Sequence, residues 1–149
     1  MTVALGLDLG SKRIGVAVSD RSGTIAAPLI TIERSGSARR DRERIASLVD
    51  EECAEIVVVG LPTNMDGTHG PAALAARSEA AALASVITVP VVLSDERRST
   101  VTAQQAMIVG GRRAADRRRR IDQVAAAVLL QHWLDGPRDQ APVGAGGDR

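Results

Sequence analysis

The sequence predicts an α/β domain on a mixed five-stranded sheet, three strands in an antiparallel meander and two parallel, with helices on both faces. Three observations carry this expectation. Apolar runs separated by tight turns fill the first 32 residues, as hairpin-connected strands do. Two β-branched runs, Ile56-Val-Val-Val-Gly60 and Val89 to Ser94, each follow a helix-compatible stretch, as strands delivered by helical crossovers do. A final amphipathic stretch then stops at Gly136-Pro137.

Taken in order, the first strand is expected over Val3 to Asp8, followed by a turn at Gly10-Ser-Lys-Arg13. A second alternates over Ile14 to Ser19, Gly23 marks a turn, and Leu29 to Ile32 reads as a third. Asp41 to Glu52 then places Ile45, Leu48 and Val49 at helical spacing. Ile56 to Gly60 suits a strand buried on both faces. After a loop from Leu61 to Gly70, Pro71 is placed to open an Ala-rich helix to about Ser85. Ser99 or Thr100 can cap a further helix through Val109, stopped by Gly110-Gly111. Ile121, Val124, Ala125, Val128, Leu129 and His132 give the last helix its apolar face. The order β-β-β-α-β-α-β-α-α is ribonuclease H-like. Residues 1–135 are expected to form one domain and residues 136–149 a disordered tail.

Composition narrows the function. The 149 residues include one Trp and neither Phe nor Tyr, so base stacking on aromatic platforms is excluded. Any nucleic-acid contact must work through backbone charge and shape. The net charge is only +1, yet six Arg lie between Arg112 and Arg120 against one acid, Asp116. A coding bias accounts for 18 Arg against one Lys, but not for that clustering. Cys53 is the sole cysteine, which excludes an intramolecular disulfide and a cysteine-cluster metal site. No apolar run approaches the roughly 20 residues of a membrane span, and the N-terminal segment lacks a signal-peptide pattern. A cytoplasmic protein without a membrane partner is expected.

The acids divide into two groups. Asp41, Glu43, Asp50, Glu51 and Glu52 sit on an expected helix surface and read as solvated. Asp8, Asp95, Glu96 and Asp122 stand at element ends among apolar or structural neighbours. A carboxylate at the end of a buried strand is costly to desolvate unless positive charge lies against it. Convergence of the first strand, the fifth strand and the last helix would gather these acids at one edge. Such a cluster demands a cation, and hard oxygen donors favour Mg²⁺ or Mn²⁺. Two ions about 3.5–4 Å apart would clamp the attacking water and leaving oxygen of a phosphodiester. Blander roles exist for each acid: turn chemistry for Asp8, surface pairing with Arg97 or Arg98 for Asp95 and Glu96, and the helix dipole for Asp122. Their conjunction favours the metal site.

Four motifs carry a family resemblance: Gly6-Leu-Asp-Leu-Gly-Ser-Lys-Arg-Ile-Gly-Val-Ala17, Val59-Gly-Leu-Pro-Thr-Asn-Met-Asp-Gly67, Asp95-Glu-Arg-Arg-Ser-Thr100 and Ile121-Asp-Gln-Val-Ala-Ala126. Together they resemble the YqgF (RuvX) family of ribonuclease H-like proteins over residues 3–134. The resemblance implies a bacterial cytoplasmic nuclease that processes the 5′ end of pre-16S ribosomal RNA; members also resemble Holliday-junction resolvases. It further implies that Asp8, the acid of Asp95-Glu-Arg and Asp122 bind metal and catalyse. Glu96 is preferred over Asp95 because the ribonuclease H-like plan usually takes a Glu from a late strand. Lys12, Arg13, Arg97, Arg112, Arg113, Arg117, Arg118, Arg119 and Arg120 are the expected nucleic-acid contacts. One departure is His69, where the family loop tends to carry an acid.

Two readings from other classes compete. Asp8-Leu-Gly-Ser-Lys12 also resembles the first phosphate loop of actin-like and sugar-kinase ATPases, but those use two such domains and this length supplies one. A non-catalytic nucleic-acid-binding factor would keep the acids for structure. Within the nuclease class, pre-rRNA and branched DNA are the alternative substrates, and a monomer or homodimer the expected states. Mg²⁺ or Mn²⁺ that stabilises the fold without nucleotide separates the nuclease from both rivals.

Overall fold

The computed structural model describes residues 2–63, 70–97, 114–137 and 142. Strands β1 (Ala4–Leu9), β2 (Arg13–Ser19) and β3 (Ala26–Glu33) form the expected antiparallel meander. Helix α1 (Ala38–Glu51) leads into β4 (Ile56–Thr63), and α2 (Pro71–Ala84) into β5 (Val91–Arg97). Both later strands run parallel to β1, so the sheet order is β3-β2-β1-β4-β5. The described chain ends in α3 (Ala114–Asp135).

Strand alternation sorts the apolar residues onto two faces. On one, Leu5, Leu7, Ile14, Val16, Val57 and Val59 pack with Ile45, Leu48 and Val49 of α1 and Ala80 and Leu83 of α2. On the other, Ala4, Ala17, Val58 and Val92 meet Ala126, Leu129, Leu130 and Trp133 of α3. No described helix is long and apolar enough to cross a membrane.

Several boundaries differ from the sequence expectation. β4 and β5 extend past Gly60 and Ser94 because their backbone ladder continues where apolar patterning stops, pairing Leu61 with Asp95 and Pro62 with Glu96. Asp95 and Glu96 therefore lie within the strand. β3 begins at Ala26 because its ladder to β2 resumes beyond an irregularity at Val16 and Ala17. Asp41, expected to be solvated, is buried; its carboxylate accepts from the backbone N–H and hydroxyl of Ser35 at 3.1 and 2.9 Å, fastening the entry to α1. Ser37 caps that helix, its hydroxyl accepting from the Arg40 N–H. Asp20 closes the β2–β3 turn in a similar way. Bonds from the Ile25 N–H, the Ser22 hydroxyl and the Thr24 N–H hold its carboxyl below the usual carboxylate range.

The largest correction concerns α3. It starts at Ala114 rather than Ile121, so Arg117 to Arg120 lie inside the helix and Asp122 lies beyond its first turn. A macrodipole role for Asp122 is thereby removed, since that effect fades within the first turn. The buried stripe also differs from the expected one: Ala126, Leu129, Leu130, Trp133 and Leu134 are buried, whereas Val128 and His132 are exposed. The sheet chooses the face. A Cβ at Gly6 would lie 2.8 Å from the Leu130 Cβ, so helix and strand meet where β1 has no side chain. The expected helix from Ser99 or Thr100 to Val109, the loop containing His69, and the tail other than Gly136, Pro137 and Pro142 lie outside the described residues.

Candidate active site

The parallel strands β1, β4 and β5 end at one edge of the sheet, where the β1–β2 turn also lies. Asp8 is half-buried near the end of β1 and shares strand parity with Ala4, which packs against α3. Its antiparallel partner is Gly15. The parallel register that pairs Leu7 with Val59 brings Gly60 beside Asp8 one step on, and Gly60 pairs with Ser94. Asp8 is thus flanked by glycine on both neighbouring strands.

Asp122 arrives from above. A Cβ at Gly15 would lie 2.0 Å from the Asp122 carbonyl oxygen and 3.1 Å from its Cβ, so α3 rests on the bare backbone of β2 at this point. Cross-strand partners have Cβ atoms about 5 Å apart, which places the Asp122 Cβ within roughly 8 Å of the Asp8 Cβ. The two carboxylates come from opposite ends of the chain. Arg13 supplies a positive charge to Asp122: its Nε donates to Asp122 Oδ2 at 2.7 Å, with side chains 25% and 22% exposed.

Three further polar ties seat the helix. The Thr31 hydroxyl donates to the Arg119 carbonyl at 2.7 Å. Gln131 Oε1 accepts from the Ala26 N–H and its Nε2 donates to the Thr24 carbonyl, both at 2.9 Å. Sequence reasoning missed Thr31 and Gln131, since a polar residue on an outer strand or an amphipathic helix reads as solvated. Only their partners, 88 to 107 positions away, reveal the role.

The remaining candidates fall as follows. Asp95 is exposed and shares parity with Leu93, which packs on the α1–α2 side. At position 96 the backbone of β5 pairs with Pro62 of β4. Among the described residues no three His, Cys, Asp or Glu side chains form a metal-holding cluster. Lys12 is exposed on the β1–β2 turn, and Arg118 and Arg120 are exposed on α3. Arg119 is engaged by Glu33 at 3.4 Å and Asp116 at 3.1 Å. Arg97 is placed by its backbone pairing with Thr63, and Arg112 and Arg113 lie outside the described residues.

This seating makes Gly15 a sharp point of failure. Gly15→Ala is expected to force α3 off β2, because the obstructing atom is backbone. Overpacking of this kind costs about 1–3 kcal/mol. A calorimetric midpoint lowered by about 5 °C or more is the expected result, together with weakened Mn²⁺ binding. An unchanged midpoint would mean that α3 does not rest on this strand.

Comparison with known proteins places the chain in a family. A protein of Chloroflexus aggregans named “Putative pre-16S rRNA nuclease” is 47% identical over 135 residues, covering 91% of this chain and 94% of its own. One of Mycobacterium sp. (strain KMS), with the same name, is 48% identical over 132 residues, covering 88% and 78%. Among solved structures, “T. thermophilus RuvC in complex with Holliday junction substrate” matches 95% of this chain and 99% of its own with a TM-score of 0.52. At 17% identity that likeness concerns the fold, and it supports the ribonuclease H-like assignment. The family model RuvX, described as Holliday junction resolvase, matches residues 2–136, and the chain belongs to that family.

Proposed function

We propose that this chain is a divalent-metal-dependent endonuclease that hydrolyses phosphodiester bonds, acting at the 5′ end of pre-16S rRNA. The observation that carries the proposal is the seating of Asp122 on Gly15, beside Asp8. It assembles two carboxylates from distant sequence on a glycine-flanked floor. The names of the curated relatives favour the RNA substrate.

Asp8, Asp122 and Glu96 would hold Mg²⁺ or Mn²⁺, with Asp95 the alternative to Glu96. The fit rests on donor chemistry, since carboxylate oxygens suit hard cations. When bound, such ions neutralise charge on the attacking and leaving oxygens of an in-line displacement. The protein's own residues do the rest. Gly15 yields its side-chain space to Asp122 and so seats that residue beside Asp8. Arg13 orients the Asp122 carboxylate. Lys12 and the α3 arginines meet the nucleic-acid backbone, and without aromatic platforms recognition depends on charge and shape.

The test is purified protein with Mn²⁺ on single-stranded RNA, duplex RNA and four-way DNA junctions. Cleavage of RNA is expected. Cleavage of junctions alone would move the substrate to branched DNA, which the family description favours. Binding without cleavage of any of them would reject the enzyme.

Arg13→Gln provides a second check. Removing the cation leaves Asp8 and Asp122 less balanced, so the thermal midpoint in EDTA is expected to fall by about 2–4 °C. Added Mn²⁺ should narrow that deficit by supplying the missing charge. A deficit of equal size with and without Mn²⁺ would separate Arg13 from the metal site.

A further inference from the structure

The β1–β2 turn presents Lys12 at the edge where Asp8 and Asp122 meet, and a residue outside that site holds it. Arg34, one position beyond β3, donates from Nε to the Gly10 carbonyl at 2.7 Å. Its backbone N–H donates to the Lys12 carbonyl at 3.0 Å. Its terminal nitrogens donate to the two carboxylate oxygens of Glu79 in α2, at 2.8 and 3.1 Å. The turn is closed from within by the Gly10 N–H, which donates to the Arg13 carbonyl at 2.9 Å.

An exposed ion pair would contribute little. This one differs in geometry: the two side chains are only 20% and 28% exposed, and the guanidinium is bidentate toward Glu79 while its third nitrogen reaches the turn. A planar fork fixes direction as well as charge, which a single ammonium cannot do. Lys12 itself is exposed, so the place of its charge is set by the turn that carries it. Ordering that turn in advance removes an entropic cost from phosphate binding.

We propose that Arg34 and Glu79 are positioning residues for substrate binding, holding the Gly10–Arg13 turn so that Lys12 meets a backbone phosphate beside Asp8. The inference rests on the reading that this edge binds nucleic acid. Neither residue touches the substrate.

The experiment measures binding of single-stranded RNA and of a four-way DNA junction in EDTA, as the slope of log affinity against log salt. Lys12→Gln should flatten the slope by about 0.7–0.9, one phosphate contact. Arg34→Lys conserves net charge, yet should flatten it by a similar amount, and the double variant should add nothing. Glu79→Gln removes a negative charge and should nevertheless flatten the slope; it carries the test if Arg34→Lys fails to fold. Cleavage with Mn²⁺ should show KM rising more than kcat falls. Amide exchange gives a readout independent of ligand: the Gly10 N–H should exchange faster in Arg34→Lys, while Leu5 and Leu7 keep their protection. A wild-type slope or wild-type Gly10 exchange in Arg34→Lys, with Lys12→Gln flattened, overturns the positioning role. A wild-type slope in Lys12→Gln overturns the phosphate reading of the turn, and this inference with it, while leaving Asp8 and Asp122 as they stand.

Discussion

Asp8→Asn is expected to abolish Mn²⁺-supported cleavage while leaving the chain folded. Asn keeps the volume of the side chain and one acceptor oxygen, and removes the charge a hard cation needs. In EDTA the thermal midpoint should stay level or rise slightly, because one of two neighbouring like charges is gone. The rise is kept small by Arg13, which already balances Asp122 at 2.7 Å. The stabilisation that Mn²⁺ confers on the wild type should be lost. Calorimetry with and without Mn²⁺, run beside a cleavage assay, measures both. A variant that unfolds, or one that cuts at the normal rate, would remove Asp8 from the site.

Replacing Arg117, Arg118, Arg119 and Arg120 together by Gln should have the next largest effect. Their location inside α3, on the turns immediately before Asp122, sets their charges beside the proposed metal site. With no aromatic readout, binding should draw on counterion release, so four lost contacts would flatten the salt slope by about 2–3 on single-stranded RNA. The loss should be similar across sequences, since phosphate contacts carry no base information. Arg119 should contribute little when changed alone, being engaged already by Glu33 and Asp116. Mn²⁺ binding should survive in the quadruple variant. If these arginines are only a solvated face, affinity will not change at any salt concentration.

Asp8 stands out as a candidate because it breaks an apolar strand pattern, and such a break is visible in one dimension. Asp122 stands out only as a member of a motif; its neighbours alone left a helix-dipole role open. The start of α3 removed that alternative, and no local signal marked the start. Arg117 to Arg120 are good helix formers whose run of like charge reads equally well as a loop. Asp95 and Glu96 are adjacent on one strand, so periodicity alone left the choice between them open. Arg34 and Glu79 gave no signal in sequence at all. An Arg beyond a strand and a Glu on a helix are ordinary surface residues until the fold brings them within 2.8 Å.

The sequence by itself determined the order of the described elements and the mixed sheet. Those features follow from local periodicity, turn chemistry and the short range of hairpin pairing, all of which act between residues close in the chain. Only the tertiary structure decided which face of α3 is buried, that Asp122 rests on Gly15, and which arginines are already engaged. These depend on surfaces meeting across about 100 residues of chain, where one absent Cβ at Gly6 or Gly15 sets how closely a helix can approach. Close packing is a property of both partners together, so neither segment alone encodes it.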